Sequence, residues 1–307
     1  MKPAPLPTRF AEWPTWLLII AVYARLLGTF AAYRLGAINL PLATVLLAIA
    51  VAWFMSMQHE LIHGHPTRWA WLNGLIGYAP FTLWYPYPLY RESHLLHHID
   101  SRLTLPGVDP ESTYVCPTRW AQAGPWLRRL LTLRKTFVGR LLIGPPWGVA
   151  HVLATELKAL SAGDYRHLPL WLGHLTACAV LLYAIERYAG IPAGYYLLAV
   201  SWPALSLASV RAFYEHRALP NAPERTVINE GGWFTRWLFL NNNLHAVHHA
   251  RPEVPWYALP AVYRAQRDSY LRANGGFYFP GGYLELFKAY AFRPIDAPAH
   301  PHGRRYE

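Results

Sequence analysis

Four apolar runs stand out along the chain, at Thr15–Tyr33, Leu40–Met57, Leu168–Ile185 and Ile191–Val210. Each approaches the ~20 residues that a helix rising 1.5 Å per residue needs to cross a bilayer. Arg25 is the single charge in the first run, and the other three hold none. A core helix of a water-soluble domain normally keeps a polar face, so the pattern predicts four transmembrane helices. Two further apolar stretches are interrupted. Trp69–Tyr90 is uncharged over 22 residues, but Pro80, Pro86 and Pro88 break its second half. Leu141–Thr155 is short and contains Pro145 and Pro146. Both are expected to be interfacial or re-entrant, in keeping with their Trp and Tyr content. Met1–Trp13 carries Lys2 and Arg9, yet no A-x-A-like site follows the long apolar run, so no secretory leader is expected.

The loops set the expected organisation. Four spans pair into two hairpins, which places residues 1–14, 58–167 and 211–307 on one side and two short loops on the other. The opposite loops hold Arg34 and Arg187, whereas 25 of the 28 Lys and Arg fall on the side of the termini. The positive-inside rule makes that side cytoplasmic. The fold class expected is an all-α integral membrane protein, one membrane-anchored domain over residues 1–307. Its spans, at about 15–33, 40–57, 168–185 and 191–210, carry a cytoplasmic helical cap made of 58–167 and 211–307. A multi-pass protein of a bacterial inner membrane, with lipid and not nucleic acid around it, is the expected setting.

Composition narrows the chemistry. Apolar residues make up 53% and charged residues 15%, against about 25% charged in a typical globular domain. That excludes a disordered or coiled-coil chain. The two cysteines, Cys116 and Cys178, are too few for a disulfide framework, an iron–sulfur cluster or a thiolate zinc site. Fifteen histidines remain, and they cluster.

The first cluster is His59-Glu-Leu-Ile-His63, with His65 close behind. The second is His94-Leu-Leu-His97-His98, and the third is His245-Ala-Val-His248-His249, preceded by Asn241, Asn242 and Asn243. On a helix, positions three and four apart share a side, so each cluster presents several imidazoles together. At this histidine content an H-x-x-H-H motif is expected about 0.04 times by chance, and two occur. Eight imidazoles exceed what one tetrahedral ion uses, which favours two metals, although imidazole suits Zn, Cu, Fe and Ni alike. His216, just past the fourth span, sits at the same predicted membrane level as His59 and His63. His65 points elsewhere on a helix, His151, His167 and His174 are isolated, and His300 and His302 read as a polar tail. His59-Glu60-x-x-His63 also matches the zinc-protease pattern, with Glu60 as general base. That alternative leaves both H-x-x-H-H boxes unexplained.

In this order and spacing the three boxes resemble the membrane fatty acid desaturase and hydroxylase superfamily over roughly residues 40–260. Asp109-Pro110-Glu111 is similar to an element of the same family, and Tyr214-Glu215-His216 is similar to one in membrane alkane hydroxylases. The run Asn241–His249, with Arg225-Thr226 upstream and Pro255-Trp256-Tyr257 downstream, looks most like the rhizopine-oxygenase-like branch. The resemblance implies two iron ions held by His59, His63, His94, His97, His98, His216, His245, His248 and His249, with O2 as cosubstrate. It implies oxidation of an unactivated C–H bond: desaturation or hydroxylation of a lipid or small hydrophobic substrate, or oxidative demethylation of a small polar metabolite. Carboxylates and amides near the boxes are candidates to orient the imidazoles, namely Glu60, Glu92, Asp100, Glu215, Glu230, Asn241 and Asn242. With no dinucleotide fingerprint or cysteine quartet in the sequence, electrons are expected from an external ferredoxin or rubredoxin. The basic cytoplasmic side would steer such an acidic partner.

Overall fold

A computed structural model describes residues 11–302; Met1–Phe10, with the Lys2 and Arg9 of the leader reading, lies outside the described residues. The chain folds as two compact units. One comprises Trp13–Arg91 and Leu142–Ser209, and the other is built mainly from Glu92–Leu141 and the residues from Val210 onward.

The first unit holds helices α1 (Trp13–Arg34), α2 (Leu40–Ile62), α3 (Ala70–Gly77), most of α4 (Tyr87–His97), α5 (Gly144–Ser161), α6 (Leu168–Ala189) and α7 (Ala193–Arg211). Of these, α1, α2, α6 and α7 are long and apolar enough to cross a membrane. They are the four predicted spans with shifted ends, and the shifts have local causes. Asn39 Oδ1 accepts from Leu42 N at 3.0 Å and Pro41 fills the first turn, so α2 starts where expected. It then runs five residues past the apolar stretch, to a stop at Gly64 with φ +88°. Polar side chains do not end a helix; a left-handed residue does. His59 therefore rides on α2 itself. In the same way α7 begins only after Gly190, at φ +73°, and Pro192. Pro145 and Pro146 do not break the Leu141–Thr155 stretch either. They occupy the first turn of the 18-residue helix α5, where a missing N–H costs nothing.

Trp69–Tyr90 forms no spanning helix. Eight residues of α3 are followed by irregular backbone, including Leu83 at φ +66°, before α4 begins. Irregular backbone exposes carbonyls that need donors, above all at membrane depth. The four long helices supply them. Tyr23 Oη donates to Ile76 O at 2.5 Å and Gln58 Nε2 to Gly77 O at 2.7 Å. Tyr196 Oη donates to Phe81 O at 2.9 Å, Ser201 Oγ to Thr82 O at 2.5 Å, and His174 Nε2 to Leu83 O at 3.1 Å. His174, isolated in the sequence, is thus a buried clamp. Tyr23, Phe54 and Phe81 pack edge to face around the same segment, with centroids 5.2–6.1 Å apart.

The second unit is a set of short helices around a small apolar core of Ile228, Leu244, Val247, Val254, Leu259, Val262 and Tyr263. Helix α8 (His245–Ala250) carries the third box, α9 (Leu259–Ala273) backs it, and α10 (Gly282–Tyr290) follows. Strand β1 (Ile228–Asn229) pairs in parallel with β2 (Tyr278–Phe279). The short extended run Thr226–Asn229 positions two parts of the site. On one side His216 and Thr226 form an antiparallel bridge, with Val227 N donating to Glu215 O. On the other, Ala246 N donates to Val227 O, and Asn243 pairs with Asn229 through Asn229 N→Asn243 O and Asn243 Nδ2→Asn229 O.

Candidate metal centre

Box two lies at the end of α4 and box three on α8, and the structure divides each box between two groups. His94, His98 and His248 form one group; His97, His216, His245 and His249 form the other, each with its ligand nitrogens within 4.8 Å of one another. Helix geometry explains the division. Positions i and i+4 lie about 40° apart around the axis, whereas i+3 and i+4 lie about 100° apart. His94 and His98 therefore stay together while His97 turns away; His245 and His249 stay together while His248 turns away. A box read from sequence as one side of a helix serves two centres. In the other unit, the rings of His59 and His63 lie 4.9 Å apart at the end of α2.

In both groups the Nε2 atoms converge. His98 Nε2 is 3.1 Å from His94 Nε2 and 3.1 Å from His248 Nε2. His216 Nε2 is 3.0 Å from His97 Nε2 and 3.1 Å from His245 Nε2. The outward Nδ1 atoms are engaged. His97 Nδ1 meets Asp109 Oδ1 at 2.9 Å, His94 Nδ1 meets Glu111 Oε1 at 2.9 Å, and His245 Nδ1 faces Asn242 Oδ1 at 3.2 Å. His216 Nδ1 is 3.3 Å from Thr226 Oγ1. With Nδ1 donating outward, each neutral ring turns a lone pair inward. One shared proton cannot serve three converging nitrogens. Both ring nitrogens of His249 are buried and make no hydrogen bond, and the Asp100 carboxylate lies 3.5 Å from its Nδ1. Such an excess of inward lone pairs, with donors held outward by oxygen, fits a metal cation.

The electrostatics agree. Burial, foremost, holds His94, His98, His216, His245 and His249 below the ordinary histidine range, so these rings are uncharged near neutral pH. Burial opposes a charge on His97 too, but Glu111 and Asp109 outweigh it and carry that ring up to about 9. Glu111 is half-buried, and although that desolvation would raise it, His97 and His94 hold it well below the usual carboxylate range. Burial raises Glu215 to about 7, with Arg211 opposing. Anions thus surround a cluster in which every ring with a shifted titration except His97 is held uncharged, which favours a cation in the middle.

Of the sequence candidates for orienting the rings, Asn242 meets His245, and Glu215 Oε1 lies 3.7 Å from His245 Nδ1. Glu230 instead bonds Tyr263 Oη at 2.8 Å and Arg267 Nε at 3.2 Å, and Asn241 donates to Trp256 O and accepts from Arg236 Nε. Glu60 is buried on α2, and Glu92 is exposed on α4. Asp109 and Glu111 were not among those candidates. Their signal was the acidic pair Asp109-Pro110-Glu111 shortly after box two, noted for its resemblance and not for this role. Thr226, placed opposite His216 by backbone pairing, was noted in the sequence only as part of the Arg225-Thr226 resemblance and not for this role.

A family model described as fatty acid desaturase matches residues 35–281, a span that takes in all three boxes and His216. Among curated proteins none matches the chain. The chain belongs to the fatty acid desaturase family, and with that to the membrane oxidoreductases of the desaturase and hydroxylase type.

Proposed function

We propose that this protein is an O2-dependent di-iron oxidoreductase that desaturates or hydroxylates a lipid or small hydrophobic substrate. The observation that supports this best is the division of each H-x-x-H-H box between two groups of converging imidazoles. One metal would be held by His97, His216, His245 and His249. The other would be held by His94, His98 and His248, joined by His59 and His63, as the order of the three boxes implies. Imidazole donors alone do not select the metal; iron follows from the family.

When bound, two irons supply the redox chemistry that activates O2 and removes hydrogen from an unactivated carbon. The protein's own part is to hold that chemistry in place. Asp109 and Glu111 keep the Nδ1 protons of His97 and His94 pointed outward, and Asn242 does the same for His245. Two electrons per turnover come from a separate carrier of the ferredoxin or rubredoxin type on the cytoplasmic side.

Elemental analysis of detergent-purified protein from iron-replete cells tests the reading, with product analysis under reduced ferredoxin and O2. About two irons per chain and an alkene or alcohol product are expected. One zinc and no iron would overturn it. Formaldehyde release from a methylated polar metabolite would move the substrate to the demethylation class while keeping the metal assignment.

A further inference from the structure

We propose that the segment Ile295–His300 is a positioning strap for the four-imidazole group, acting through one arm that ends on His97 and a second that ends on the backbone two residues beyond His216. The inference rests on reading that group as a metal centre. The sequence suggested only a polar tail here, yet His300 is 2% exposed. Backbone bonds stitch the segment down: Ile295 N donates to Lys135 O, Val115 N to Pro298 O, and His300 N to Val115 O, at 2.9–3.0 Å.

The first arm runs from His300. The backbone N–H of His302 donates to His300 Nδ1 at 3.1 Å, which fixes the tautomer and leaves Nε2–H to donate to Thr104 Oγ1 at 3.1 Å. Thr104 stands at φ +69°, a conformation that is costly for a β-branched residue and persists only where surroundings impose it. Ser112 Oγ donates to Thr104 O at 2.6 Å and completes the hold. In that conformation Thr104 N–H donates to Asp109 Oδ2 at 2.8 Å, while Asp109 Oδ1 takes His97 Nδ1. The carboxylate is gripped at both oxygens, so its plane, and with it the His97 ring, depends on Thr104.

The second arm runs from Asp296. Its carboxylate meets Lys135 Nζ at 2.9 Å and accepts from Tyr114 Oη. Tyr114 Oη in turn accepts from Ala218 N at 3.1 Å, two residues beyond His216. The first arm therefore reaches the His97 ring and the second the backbone two residues beyond His216, and the Nε2 atoms of those two histidines stand 3.0 Å apart. Neither touches His94, His98 or His248 through any of these bonds, so loosening the strap should disturb one centre and spare the other.

The test uses the full chain in detergent, loaded with Co(II) alone and challenged with EDTA. Wild type is expected to bind two ions. In His300→Ala one of the two should leave about tenfold or more faster, the size typical of lost outer-shell support, while the other is unchanged. Adding Thr104→Gly to His300→Ala should restore slow release, because glycine adopts φ +69° without help and keeps its N–H on Asp109. A residue that only stabilised the fold would not be rescued in this way. Asp296→Ala should accelerate the same ion through the other arm and serves if His300→Ala does not fold. His302→Ala, which keeps the N–H, should change nothing. Two ions released from His300→Ala and Asp296→Ala at wild-type rates would overturn the strap and leave the metal reading intact. Wild type that binds no ion would overturn both.

Discussion

Asp109→Ala offers the sharpest test of how the site is held. The Asp109 side chain is 2% exposed and accepts three hydrogen bonds, from His97 Nδ1, from Thr104 N at 2.8 Å and from Glu111 N at 2.9 Å. Alanine leaves all three donors buried. Each orphaned donor costs about 1–3 kcal/mol, and a water entering the vacated space can serve only part of the set. The expected loss is about 3 kcal/mol of stability, a large share of the ~5–15 kcal/mol of a typical protein. The metal held by His97 should also bind about 10- to 100-fold more weakly. Glu111→Ala is the contrast. Its side chain is 27% exposed, so water replaces it and the stability loss should stay under about 1 kcal/mol. Its effect on metal should fall on the His94 group. Denaturant unfolding followed by tryptophan fluorescence, with chelator competition for each metal, measures both quantities. A loss below about 1 kcal/mol for Asp109→Ala with both metals retained as in wild type would refute the reasoning.

Further outcomes follow from the same geometry. His97→Ala or His216→Ala should remove one metal, and His98→Ala or His248→Ala the other, with activity lost in all four; elemental analysis that finds both metals in any of them would break the division. Tyr196→Phe, Ser201→Ala and His174→Leu each strip one donor from the Phe81–Leu83 carbonyls, and each should cost about 0.5–2 kcal/mol in detergent unfolding. Burial lowers Lys135 to about 8 from its ordinary 10.5, although Asp296 opposes the shift. The unfolded chain then binds more protons than the folded one between those values, so this contribution to stability rises as pH goes from about 8 to 10.5. The unfolding midpoint of Lys135→Met should lack that rise, and an identical pH profile in both proteins would sink the assignment.

The long apolar runs were legible because few polar residues interrupt them; α2 outran its reading because His59 and Glu60 end an apolar run without ending a helix. The boxes were legible as metal-type clusters from spacing alone. Their division between two groups was implicit in the same spacing, but only once i+3 is separated from i+4 by angle. What sequence could not reach is contact across distance. Thr104 and His300 are 196 residues apart, and His174 and Leu83 are 91 apart; no local pattern links them. The positive φ of Thr104 is equally silent, since threonine there contradicts the local preference that sequence reading depends on.

The carbonyls of Ile76–Leu83 also set an order of events at the ribosome. Tyr23 and Gln58 are already made when this segment emerges, but His174, Tyr196 and Ser201 follow by 91 to 119 residues. At ~5–20 residues per second, the segment waits roughly 5 to 25 s for the donors of its second half. Until they arrive, the chain cannot place that backbone in hydrocarbon without orphaned carbonyls. Translation halted before α6 would leave the Phe81–Leu83 carbonyls without the donors that α6 and α7 supply.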